Sequence, residues 1–102
     1  MAAVAAEPLS RDQMQRVIHS SSSWVAEHSV WVKQIRLSRV REPNAIFLFV
    51  TAKSPADVNL AHRRAATMLA MQIGSMFNVE CTIDVVPFEP ENSIKIYPHG
   101  HQ

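Results

Sequence analysis

Glycine is scarce in this chain. Only Gly74 and Gly100 occur in 102 residues. That excludes the glycine-rich loops that cradle phosphates and the Gly-x-x-Gly loop of KH-type RNA binders. Cysteine occurs once, as Cys81, so no disulfide can close within the chain. A reducing, cytoplasmic setting is the expectation. No apolar run approaches the roughly 18 residues that a membrane-spanning helix needs. A large charge of one sign is also lacking, since the formal net charge is +1. Bulk attraction to nucleic acid or to a membrane surface is therefore not implied. Cys-x-x-Cys and His-x-x-x-His pairs are missing too, and with them the commonest zinc-ligand spacings.

The chain that remains is 47% hydrophobic and 19% charged, a globular composition. Its length suits one domain. We expect a leader over 1–9, a single α+β domain over 10–97 and a flexible tail over 98–102. The stretch Ala45 to Ala52, Ala-Ile-Phe-Leu-Phe-Val-Thr-Ala, organises the rest. It is rich in β-branched and aromatic residues and is bounded by Glu42-Pro43-Asn44 and Ser54-Pro55. That pattern predicts a strand. Ile46, Leu48 and Val50 share one face; Ala45, Phe47, Phe49 and Thr51 share the other. Both faces are apolar, so the strand should be central and covered on both sides.

The flanking segments carry clear punctuation. Ser10-Arg11-Asp12-Gln13 fits a capping box. Met14, Val17, Ile18, Trp24 and Val25 then recur at helical spacing, predicting a first helix from about Arg11 to Ala26. Serines 20–23 weaken its second half. Ser29 to Val40 reads as a first strand, placed at a sheet edge because one of its faces is polar, with a bulge near Lys33. Ser54-Pro55-Ala56-Asp57 predicts the start of a second helix that runs to about Phe77 and stops at Asn78. Its second half is apolar nearly all round and holds Met68, Met71 and Met76, either buried or serving as an adaptable partner surface. Val79 to Val86 alternates cleanly, Val79, Cys81, Ile83 and Val85 inward against Glu80, Thr82 and Asp84. Ile94 to Tyr97 reads as a short added strand or as a segment lying on the sheet.

The order helix, strand, strand, helix, strand predicts an open two-layer sandwich, a ferredoxin-like half. Its sheet order would be 1-2-3, with both helices on one face. Two helices leave the second face of the sheet uncovered. A second copy, the C-terminal segment or a ligand should close it. Two-fold homodimers are the commonest oligomers. The expected function is thus a non-enzymatic, homodimerising protein-interaction or regulatory module, with Phe47, Phe49, Thr51 and Met71 at the partner interface. Lys33, Arg36, Arg39 and Arg41 would form a basic rim.

Other chemistries have thinner support. Phe47-Leu48-Phe49-Val50 is similar to the base-stacking strand of RNA-recognition modules, and a basic hairpin precedes it. Binding of RNA or single-stranded DNA through Arg36, Arg39 and Arg41 is the alternative. Catalysis needs a nucleophile, a base and an orienting group together, and no spacing selects such a set. No cofactor is expected. His99 and His101 in the tail can hold a metal only weakly. A metal-responsive regulator using them with His62 is the third reading.

From about Glu27 to Pro90 the chain resembles the cytosolic C-terminal domain of cation diffusion facilitator transporters. The element order carries this, together with Ala61-His62 in the second helix and Phe77-Asn78-Val79 leading into Thr82-Ile83-Asp84. The resemblance implies a dimer. It also puts His62 at a position that often carries a metal ligand, while Asp84 stands where histidine is common.

Overall fold

The computed structural model describes residues 10–40, 42 and 44–98. The expected leader, most of the expected tail and Arg41 therefore lie outside the described residues. Helix α1 (Arg11–Val25) opens with the capping box. Ser10 Oγ accepts from the Gln13 amide at 3.1 Å, and the Gln13 side chain accepts from the Ser10 amide at 3.1 Å. The serine run does not end the helix. Ser20 and Ser21 are buried on the same face as Val17 and Val25, so packing overrides weak propensity.

Strand β1 (Val32–Ser38) and strand β2 (Ala45–Ala52) form an antiparallel hairpin. The predicted bulge is present, as a register shift between Val32 and Gln34. It leaves Lys33 exposed and turns Val32 into the core. Alternation without the bulge puts Val32 beside Gln34 and Arg36, which the structure corrects.

Pro55–Asp57 is only a short 3-10 turn, and helix α2 (Leu60–Phe77) starts afresh after Asn59. The Asn59 side chain accepts from the His62 amide at 2.9 Å, so it takes the capping role expected of Ser54. Asn78 ends the helix in the left-handed conformation, φ 55°, ψ 48°. Strand β3 (Glu80–Val86) then runs parallel to β2.

The C-terminal segment settles into a fourth strand, β4 (Ser93–Tyr97), antiparallel to β1. The sheet order is β3-β2-β1-β4. The molecule is thus an α+β fold of two helices on an open four-stranded sheet. The expected neighbours 1-2-3 are present, and the three-stranded sheet is corrected to four strands, because β4 occupies the free side of β1. For the same reason β1 is interior, and its polar face is not a solvent face.

One buried cluster joins Val17 and Val25 of α1, Ala66, Leu69 and Ile73 of α2, and Ile46, Leu48 and Val50 of β2. Ile35, Leu37, Val85 and Ile96 from the other strands belong to it, as do Trp31, Val32 and Ala52. Each fully buried side chain of this kind contributes about 1.5–3 kcal/mol. The Phe47/Phe49 side of β2 meets no helix.

That second side is half covered, by the link from β3 to β4. Val86 is level with Thr51, whereas Ser93 is level with Ser38. Residues 87–92 must cross three strand spacings, about 14 Å, while descending about 13 Å along β1. The diagonal is about 19 Å, and seven peptide steps reach at most about 24 Å. The link therefore crosses the sheet as a strap, bending at 87–88 and 91–92. Thr51 Oγ1 donates to the Phe88 carbonyl at 3.0 Å, and Gln34 Nε2 donates to Thr51 Oγ1 at 3.3 Å. Ser93 Oγ donates to the Pro90 carbonyl at 2.7 Å, and the Arg39 amide donates to the Asn92 carbonyl at 2.9 Å. These bonds explain how Gln34, Thr51 and Ser93 are buried without loss.

Candidate interaction site

Beside the strap the sheet stays open. Phe47 and Phe49 from β2 and Thr82 and Asp84 from β3 line a concavity of about 230 Å³. Ser38, Val40 and Glu42 from the hairpin end close its other side. Strand register makes the grouping, since Phe47 pairs with Thr82, Phe49 with Asp84 and Arg36 with Phe49. Both phenyl rings are half-buried. The floor is apolar and the rim carries two carboxylates, Glu42 and Asp84. Neither is in an ion pair among the described residues.

The expected interface residues do not all meet here. Phe47 and Phe49 line the concavity, but Thr51 is sealed beneath the strap and bonded to it. Met71 is 63% exposed on α2, in the opposite layer, where Met68 is exposed as well. The expected basic rim is likewise dispersed. Arg36 is held inward, its side chain 16% exposed and 3.5 Å from Glu89. Its Nε donates to Ser93 Oγ at 2.7 Å, and a second guanidinium nitrogen donates to the Ser93 carbonyl at 2.9 Å. Lys33 and Arg39 are exposed but stand outside the concavity.

A second hollow, about 480 Å³, lies between α1 and the end of α2. Gln15, Arg16, His19, Ser20 and Met76 line it. It is larger and mostly polar, and it has no aromatic floor.

Sequence reasoning missed an aromatic cluster where α1, its exit and the start of α2 converge. Trp31 stacks on His62 with ring centroids 3.9 Å apart and planes 2° from parallel. Trp24 stacks on His28 at 4.3 Å and meets Trp31 edge-on at 5.7 Å. Trp24 Nε1 donates to the Ala65 carbonyl at 3.0 Å, and Trp31 Nε1 donates to His28 Nδ1 at 3.3 Å. His62 Nδ1 donates to the Asp57 carbonyl at 2.7 Å. The i, i+4 spacing of Trp24 and His28 was a usable signal; the stacking partner from α2 was not. Both histidines are thus engaged in packing and hydrogen bonds.

Among the described residues no group of three or more His, Cys, Asp or Glu is arranged to hold a metal ion. His99 and His101 lie outside the described residues. Burial pushes the Cys81 thiol up to about 12, so at neutral pH it is protonated and a poor nucleophile. No described helix is long and apolar enough to cross a membrane.

No family model matches this chain, and neither the curated proteins nor the solved structures hold a match to it.

Proposed function

We propose that this chain is a non-enzymatic protein-interaction module that docks its partner on the helix-free face of the sheet. One observation carries the reading: Phe47 and Phe49 stay half-exposed in a concavity that neither the helices nor the strap fills. Apolar surface gathered in a hollow with a polar rim is the usual mark of a protein contact. The volume, about 230 Å³, falls below the roughly 300–1,000 Å³ of small-molecule pockets. It suits one or two side chains of a partner protein.

In this reading the core is a ferredoxin-like half extended by the strap and β4, working in the cytoplasm. The order α1-β1-β2-α2-β3 supports the likeness to the cytosolic domain of cation diffusion facilitators. The homodimer implied by that likeness is one form the module takes. The test is molecular mass by light scattering, at low and high salt, for the native chain, Phe47→Glu and Phe49→Glu. A native dimer that both substitutions convert to monomers, with melting unchanged, makes this face the self-association surface. A native monomer at both salts removes the homodimer and leaves a different chain as partner. A dimer that survives both substitutions removes this face from self-association.

A further inference from the structure

The two helices differ on their outer sides. Every exposed residue of α1 is polar, and its Met14, Ile18 and Trp24 are partly buried against the core. Helix α2 breaks that pattern: Leu60, Met68 and Met71 are 63%, 65% and 63% exposed. At about 100° per residue these three and Arg64 fall within about 80° of one another. They lie on the side away from the buried Ala66, Leu69 and Ile73. The stripe runs about 17 Å along the helix. A helix that is apolar on both sides is normally covered on both. Here one side packs on the core and the other is open.

The charge of this surface has one sign. Residues 58–79 hold no Asp or Glu, and Arg63 and Arg64 are both exposed. Neither arginine is in an ion pair among the described residues. Arg64 stands four residues from Leu60 and four from Met68, so it neighbours both on the helix surface. The stripe is thus apolar with a cation set into it. Thr67, beside it, already donates its hydroxyl to the Arg63 carbonyl at 3.0 Å.

These features select among occupants. A second copy laid on this face brings two more arginines and no acid from its own α2, and like charges in one contact are disfavoured. A lipid surface is held by clusters of about 4–8 basic residues, and this face has two. A helix with acidic residues suits it better. Helices pack along a straight stripe of this kind with axes about 8–10 Å apart. A carboxylate beside Arg64 makes charge-assisted hydrogen bonds, and methionine repacks readily around apolar side chains.

We infer that the outward stripe of α2 docks an amphipathic helix of a partner protein, apolar along one face and acidic beside it. The surface lies in the layer opposite the Phe47/Phe49 concavity and stands independently of it.

The test uses the full chain and two blocked, fluorescein-labelled 18-residue peptides, followed by anisotropy. Both carry Leu at i, i+4, i+7 and i+11 on an alanine background; one adds four Glu and the other four Lys. The Glu peptide should bind at least about tenfold more tightly than the Lys peptide. Arg64→Glu should reverse that order. Met68→Gln combined with Met71→Gln should weaken the Glu peptide about tenfold with melting unchanged, since glutamine matches methionine in helix propensity. Failure of the Glu peptide, or equal binding of both peptides, overturns the inference. So does an order that Arg64→Glu leaves unchanged. Loss of Glu-peptide binding in Phe47→Glu, but not in the methionine variant, moves the contact to the concavity and overturns it as well. A native dimer that the methionine variant makes monomeric assigns the stripe to a second copy instead. Sedimentation with phosphatidylserine vesicles that the methionine variant abolishes, without Glu-peptide binding, assigns it to lipid instead.

Discussion

At the scale of single residues, Cys81 shows how far burial fixes chemistry. Its alternation with Glu80 and Thr82 made it inward-facing from the sequence, and an inert thiol follows from that position. Its thiol, pushed up from 9.0 to about 12, gives a signed pH effect. Below about pH 9 the thiol is neutral in both states and costs nothing. As pH rises from 9 towards 12 the unfolded chain ionises first, so stability is lost across that window. Cys81→Val should flatten this part of a urea-denaturation profile measured from pH 8 to 11. A slope the same in both proteins assigns the loss to other groups. Thiol-reagent labelling of the native protein at pH 8 should also be slow and become fast on unfolding. The Trp31–His62 stack was not legible in the same way. It joins residues 31 positions apart, and no local period records such a meeting.

At the scale of elements, most of the fold was readable because each element carries its own punctuation. The Ser10 box, the Ala45–Ala52 run and the Asn78 stop stand where the sequence places them. The start of α2 was misread, because Ser54-Pro55 and Asn59 are both competent caps five residues apart. The longer helix begins at Asn59, where the side chain bonds an amide; Ser54 makes no such cap bond. The α2–β3 contact brings its own consequence. A Cβ added at Gly74 falls 2.8 Å from the Val79 carbonyl oxygen and 3.7 Å from Cys81 Cβ. Alanine is the better helix former by about 0.5–1 kcal/mol, so an exposed glycine would gain from the change. Here the blocking atom is backbone, so α2 must shift off β3. Gly74→Ala should destabilise by about 1–3 kcal/mol in urea unfolding. A neutral or stabilising result shows that the helix end gives way easily.

At the scale of the whole molecule, the arrangement turns on how the second sheet face is closed. The apolar run of β2 showed that both faces needed cover, and the C-terminal segment was among the occupants considered. The strap was still not legible as such, because its route depends on β4 pairing with β1 rather than on any pattern within 87–92. The polar residues that suggested an edge strand, Gln34, Arg36 and Ser38, are instead the strap's bed. The open area is a notch rather than a flat sheet, with Ser38, Val40 and Glu42 of the hairpin end beside Phe47 and Phe49. Thr51 joins strap to sheet, receiving from Gln34 and donating to the Phe88 carbonyl. Thr51→Val keeps the shape and leaves the buried Gln34 amide and the Phe88 carbonyl unpartnered. The cost should be about 1–3 kcal/mol. Each kcal/mol should lower Tm by about 4–8 °C in a domain of this size. Hydrogen exchange separates loss of the strap from general weakening. The Arg39 amide, bonded to the Asn92 carbonyl, should lose protection more than the Met14 amide, bonded to the Ser10 carbonyl in α1. Equal losses at both sites mean that the strap opens only with the whole fold. In that case the cover over Thr51 and Gln34 belongs to the native state as a unit and opens with it.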